Sequence, residues 1–311
     1  MNFSIIAYGT NLVLLFFATI FHIVFLTLIC IKIRPLASNV LLILISNSYL
    51  ALILSSATLF EASLTSFLGN LNSWTLFGIS LCRTRAYLIV VGQSAISYSL
   101  LLQAFFRLFR IIFFQRRALR SFRVFSILVI LQWLFVFLIN LLYIYLNKFE
   151  YIPSEYQCEI PINNYSGAAM MTTLTHILPI NTIFFIYFYI MRYIRRTTNT
   201  IQTRQNINKR DMIVFKRIII LLIVLQVLSI PLFVVWILYV ITGYTISWNY
   251  YFLALVSSIG QLVMSLILAS TTSQIREKLK WRPSQIHPNI EIRVQYRNTP
   301  ESDHHDLQEK I

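Results

Sequence analysis

Few residues in this chain are placed to do chemistry. His22 and His176 each stand alone in apolar surroundings without the spacing of metal ligands, and His304 and His305 adjoin in a polar C-terminal stretch. No nucleophile elbow, phosphate-cradling glycine loop or pair of acids within an apolar segment occurs, so no enzyme activity, cofactor or metal is expected. Three cysteines, Cys30, Cys82 and Cys158, allow one bridge with a thiol left over, or three free thiols. The net charge of +15 raises the question of nucleic acid. A chain 57% hydrophobic and only 12% charged argues against it, since soluble domains carry about 25% charged residues.

The elements that position these residues are long apolar runs. A helix needs roughly 20 mostly apolar residues to cross a hydrocarbon core about 30 Å thick. Seven stretches qualify: Thr10 to Ile33, Ser38 to Leu64, Ser80 to Phe109, Phe122 to Leu146, Ala168 to Met191, Ile213 to Ile241 and Trp248 to Ser273. Backbone groups must be satisfied internally in lipid, which makes these runs helices and excludes a β-barrel. The first has no basic residue before it and no evident small-residue cleavage site, so it is expected to be an uncleaved span rather than a signal peptide. The fold class read from the sequence is therefore an all-α membrane protein, a seven-transmembrane helix bundle.

Charge placement orients the bundle. Lys and Arg in short loops favour the cytoplasmic side. Twenty-three of the basic residues fall after spans one, three, five and seven or at their inner ends; only Arg83, Arg85 and Lys148 fall on the other side. This predicts an outside N-terminus over residues 1–9, a seven-span domain over 10–273 and a cytoplasmic C-terminus in the plasma membrane. It also accounts for the net charge through lipid and protein contacts rather than nucleic acid. The sequons at Asn2 and Asn164 both land on the predicted outer side and are candidate glycosylation sites. Residues 274–282 read as a short amphipathic basic helix on the inner membrane surface, and 283–311 as a disordered tail with Pro283, Pro288 and Pro300. No internal repeat appears, and an odd number of spans does not suit a two-fold inverted-repeat transporter.

Seven spans, an outside N-terminus and a short inner helix resemble the rhodopsin-like, class A, G-protein-coupled receptor family across Thr10 to Trp281, and several landmark residues match at the family's spacing. Cys82 opens span three and Cys158 lies in the longest outer loop, where the resemblance implies a disulfide. The preceding Trp74-Thr-Leu-Phe77-Gly78 is similar to the family's outer-loop motif with one residue added. Arg107, twenty-five residues after Cys82, occupies the place of the family's Asp-Arg-Tyr arginine within Phe106-Arg107-Leu108. Asp211, twenty residues before Pro231, is the implied partner across to span six; a solvated acid offsetting Lys209 and Arg210 is the alternative. Trp133, Pro179 and Pro231 fall on helix landmarks, and Tyr187 stands where the family has an activation-linked tyrosine.

The departures are as specific. Span two has no buried Asp: its only acid is Glu61 near the outer end, with Ser46, Asn47 and Ser48 as the available polar groups. Span six reads Leu228-Ser229-Ile230-Pro231 without the usual Trp, and span seven has Met264-Ser265-Leu-Ile-Leu268 in place of Asn-Pro-x-x-Tyr. The chain thus reads as a divergent member. With no Lys between Arg217 and Lys278, a retinal Schiff base is excluded, and Ile89 stands where amine receptors carry an Asp, which argues against a biogenic amine. Arg85 and Glu61 are candidate ligand contacts, Arg85 for an anionic group such as a carboxylate or peptide terminus; both residues equally suit the headgroup region as anchors. The resemblance implies an extracellular ligand and a heterotrimeric G protein as partners. A seven-span channel or transporter, or a receptor-like protein that no longer signals, are the other readings.

Overall fold

The computed structural model describes residues 3–32, 40–71, 79–113, 116–161, 163–198, 230–231, 233–243 and 249–271. Asn2, Asp211, the Trp74 to Gly78 motif, the inner-surface helix and the tail lie outside the described residues. In chain order the elements are α1 (Phe3–Lys32), α2 (Val40–Asn70), α3 (Ile79–Ile111), a 3-10 turn (Arg117–Arg120), α4 (Phe122–Tyr145), β1 (Glu150–Ile152), β2 (Gln157–Glu159), α5 (Tyr165–Thr172), a π turn (Thr173–Ile177), α6 (Leu178–Thr198), α7 (Phe233–Thr242) and α8 (Asn249–Thr271).

Among the described residues, six helical stretches are long and apolar enough to cross a membrane: Ser4–Ile31, Val40–Asn70, Leu81–Ile111, Phe122–Tyr145, the continuous Tyr165–Arg196 and Asn249–Ala269. That architecture fits a multi-pass helical membrane protein. The short apolar helix α7 falls inside the expected sixth span, whose residues 213–229 lie outside the described ones.

The distribution of side chains inverts that of a soluble bundle. Phe16, Phe17, Ile130, Leu134, Phe184 and Phe185 point outward, exposed, while Asn47, Ser48, Ser55, Ser56, Ser99 and Gln103 are buried between helices. Lipid tails are as apolar as leucine, so the interior is selected for close packing and hydrogen bonding rather than for greasiness. Burial ranks the helices: 67% of the α2 window and 72% of the α3 window lie inside, against 22% for α1 and α4. Accordingly α1 packs on α2 and α8, and α3 on α2, α4 and α6.

The small residues of α2 explain its central place. At Gly92 of α3, a Cβ would sit 2.8 Å from the Ser55 Cα, so the two backbones meet where neither carries bulk. Polar side chains then bind helix to helix. Trp133 Nε1 donates to Asn47 Oδ1 at 2.8 Å, Asn47 Nδ2 to Gln132 Oε1 at 2.7 Å, and Gln103 Nε2 to Ser48 Oγ at 2.8 Å. Between α1, α2 and α8, Asn11 Nδ2 donates to Ser63 Oγ at 2.6 Å and Gln261 Nε2 to Ser55 Oγ at 2.8 Å, while His22 lies 3.4 Å from both Ser56 Oγ and the Gln261 carbonyl. His22 is thus a packing histidine in a neutral network.

Several boundaries differ from the hydropathy reading, with α2 running to Asn70 rather than Leu64 and α6 to Thr198 rather than Met191, and two of the starts have a local cause. α1 begins at Phe3 rather than Thr10, because its polar first turns find partners within the protein: Ser4 Oγ donates to Asn70 Oδ1 at 3.1 Å and the Tyr8 hydroxyl to Glu155 Oε2. The fifth span starts at Tyr165 rather than Ala168, since Asn164 caps it by accepting from Gly167 N at 3.1 Å. Its π turn lies just before Pro179. That proline lacks the N–H that would serve the Thr175 carbonyl four residues back, and the neighbouring Leu174 carbonyl accepts instead from the Tyr98 hydroxyl at 3.1 Å.

Candidate functional site

The segment between α4 and α5 is a β-hairpin, an element the apolar-run analysis does not address. Its strands are antiparallel with Glu150 opposite Glu159, Tyr151 opposite Cys158 and Ile152 opposite Gln157. The tie of Pro153 through Tyr156 closes with Glu155 N donating to the Ile152 carbonyl at 3.1 Å, and Tyr156 takes a left-handed φ of 56°.

Four anchors hold this hairpin across the end of the bundle. Cys158 is bridged to Cys82 of α3, with Cα atoms 5.3 Å apart, as the resemblance implies. Tyr8 of α1 holds the Glu155 carboxylate, and Ser66 of α2 donates to the Glu155 carbonyl at 2.6 Å. Gly69 of α2 packs against the Tyr156 ring so closely that any side chain there would overlap it. Cys30 is a free, exposed thiol.

Beneath the hairpin is a cavity of ≈ 220 Å³. Its walls are mainly apolar, from Leu52 and Leu59 of α2, Ile89 and Ile96 of α3, and Leu253 and Met264 of α8. Polar groups break that lining at few points: Gln93, Ser97, Ser257 and Gln261 from the helices, His176 from the π turn, and Gln157 and Glu159 from the hairpin. A period of two places Gln157 and Glu159 on one face of β2. Gln157 Nε2 donates to Glu159 Oε2 at 3.3 Å. Glu159 is half-buried and contributes to the cavity wall. Burial, reinforced by the like charge of Glu155, pushes its pKa up from 4.5 to about 7. Glu155 is raised as well, by burial, with the Tyr8 hydrogen bond opposing.

Of the residues singled out from sequence, Ile89 lines this cavity, whereas Arg85 and Glu61 pair with each other, Nε to Oε1, at 2.8 Å and are not among its lining. Toward the opposite end of α3, 25 residues and about 38 Å of helix from Cys82, Arg107 is close enough to the Tyr187 hydroxyl on α6 to act on it electrostatically. Trp133 serves as a hydrogen-bonding anchor between α4 and α2. Pro231 sits in helical backbone just before α7, and the α7 residue Tyr239 stacks near Tyr165 with ring centroids 5.6 Å apart. The Asn164 side chain is the cap of α5, so its sequon also has a structural use.

Glu155, Glu159 and Gln93 are cavity or hairpin residues that sequence reasoning passed over, and His176 stands there only as an isolated histidine without metal-ligand spacing. A signal existed for Glu159: the neighbour of a cysteine bridged to α3 must be delivered to the mouth of the bundle. For His176 none did, because only the folded π turn shows where its ring goes.

Comparison of the chain with protein-family models and with curated protein sequences finds no match in either. Fold and site therefore define a class by themselves: a helical protein fitted to cross a membrane several times, with a disulfide-anchored hairpin roofing a small, mostly apolar cavity.

Proposed function

We propose that this protein is a divergent rhodopsin-like G-protein-coupled receptor of the plasma membrane, with its N-terminus outside and its C-terminus in the cytoplasm. The observation that carries the reading is the arrangement along α3: a ligand-sized cavity closed by the bridged hairpin at one end, and Arg107 electrostatically close to Tyr187 of α6 at the other. In this reading residues 213–241 supply a seventh crossing, of which α7 is the described part. Ligand in the cavity touches the π turn, a register defect in which the fifth span can shift. That shift changes how α6 meets Arg107 and opens an inner cleft for a heterotrimeric G protein. Basic segments flanking the cleft meet anionic lipid and acidic protein surfaces. The neutral network of His22, Ser55, Ser56 and Gln261 joins α1, α2 and α8 without the acid usual in the family.

The test is recruitment of a panel of G-protein α subunits, measured beside ion current in the same expressing cells. The expected result is recruitment above that of untransfected cells, lost in Arg107→Ala at equal surface expression. Current without recruitment would make the chain a channel, and neither signal at full surface expression would make it a receptor-like protein that does not signal.

A further inference from the structure

The polar groups of the cavity beneath the hairpin share a bias. Glu159 is an acid that receives one hydrogen bond among the described residues, from Gln157. Among the described residues, Gln261 Oε1 and His176 Nδ1 are buried with no hydrogen-bond partner, and protein surrounds most of the His176 ring. Buried polar atoms left unpaired cost about 1–3 kcal/mol each, so a ligand that satisfies them is favoured. All three can accept a hydrogen bond, His176 in the tautomer protonated on Nε2. No cation stands among the cavity's lining residues. The three basic residues of this end are engaged elsewhere: Arg85 with Glu61, Arg83 Nη1 with Asn147 Oδ1 at 3.1 Å, and Lys148 Nζ with Ser166 Oγ at 2.6 Å. The volume, about seven waters' worth, limits an occupant to roughly ten non-hydrogen atoms.

We propose that this cavity takes a small organic amine, its protonated nitrogen held by Glu159 from the hairpin and its apolar body packed against Ile89, Ile96 and Leu253. The acid absent from α3 at Ile89 is thus supplied from the opposite wall. This rests on reading the cavity as a ligand site and reverses both the expectation of an anionic ligand drawn from Arg85 and the argument against an amine drawn from Ile89. An amine cation also offsets the mutual repulsion of Glu155 and Glu159, which no basic residue at this end engages in the structure.

The experiment uses the full chain in lipid nanodiscs and three probes of matched size: phenethylamine, phenethyl alcohol and phenylacetate. Binding is read directly by calorimetry and by thermal shift. Phenethylamine is expected to bind more tightly than the alcohol, and phenylacetate to bind weakest. Glu159→Gln should weaken the amine about tenfold to a hundredfold and leave the alcohol unchanged. Ile89→Phe, which fills the cavity, should abolish both. In the unaltered protein, amine affinity should rise between about pH 6 and pH 8 as Glu159 ionises. The groups set around it are Glu155 and Gln157 on the hairpin and Tyr8 on α1, with His176 of the π turn lining the same cavity and Tyr251 of α8 near Glu155. Preference for phenylacetate, equal amine affinity in Glu159→Gln, or no binding of any probe overturns the proposal. Failure of the receptor reading shows separately: amine binding that survives all these controls with no G-protein recruitment leaves the amine site standing and removes the receptor.

Discussion

The substitution Glu159→Gln should make the unliganded protein more stable above neutral pH and should flatten its stability profile. A carboxyl whose pKa rises from 4.5 unfolded to about 7 folded binds its proton more tightly in the folded state. Its contribution is therefore fully present below about pH 4.5 and lost as pH rises to about 7, after which the penalty is constant. At 1.36 kcal/mol per unit the full penalty is about 3 kcal/mol. The carboxyl opens on a cavity that water can enter, so we expect about 1–2 kcal/mol, or roughly 2–4 °C in melting temperature for a chain of this size. Glutamine keeps the shape and can still accept from Gln157 Nε2. Glu155 acts in the same direction in the unaltered protein, so the difference between the two curves, rather than the slope of either, isolates position 159. The assay is thermal unfolding in nanodiscs between pH 5 and pH 8 without ligand. Parallel curves for the two proteins would refute the burial argument, as would a variant that is less stable at pH 8.

Three further outcomes follow from particular contacts. Gly92→Val should lower stability by about 1–3 kcal/mol, since its Cβ meets the α2 backbone at Ser55 and forces α2 from α3; an unchanged melting temperature would show that the helices are not this close. Trp133→Phe removes the donor to Asn47 Oδ1 and leaves a buried acceptor, for a loss of about 1–3 kcal/mol in the same assay, and the double variant with Asn47→Ala should cost little more than Asn47→Ala alone, which also takes the donor from Gln132 Oε1. Asp211→Ala should raise ligand-independent G-protein recruitment; unchanged basal recruitment in a well-expressed variant would remove the latch with Arg107.

How much could be read beforehand depended on the range of the forces involved. Among the described residues, six of the long apolar runs fall on helices long and apolar enough to cross a membrane, because backbone desolvation in lipid is a local property of each run. The Cys82–Cys158 bridge, expected only through resemblance, is present in the structure. The start of α1 was misplaced because hydropathy cannot see that Ser4 and Tyr8 have protein partners. Arg85 invited an anionic ligand on charge alone, and its ion pair with Glu61 could not be known until α2 and α3 were set side by side.

The sequence by itself determined that the chain is helical and apolar on a scale that suits a bilayer, since length, hydropathy and charge placement act residue by residue along one axis. Only the tertiary structure decided what the bundle encloses. A hairpin whose strands are three residues long carries no strong local pattern, yet its bridge to α3, the Tyr8 contact and the small contact surface of Gly69 bring Glu159 to the same cavity as His176, 17 positions later in the chain. Contacts of that kind form across space rather than along the chain, and they turn an isolated acid and an isolated histidine into one candidate site.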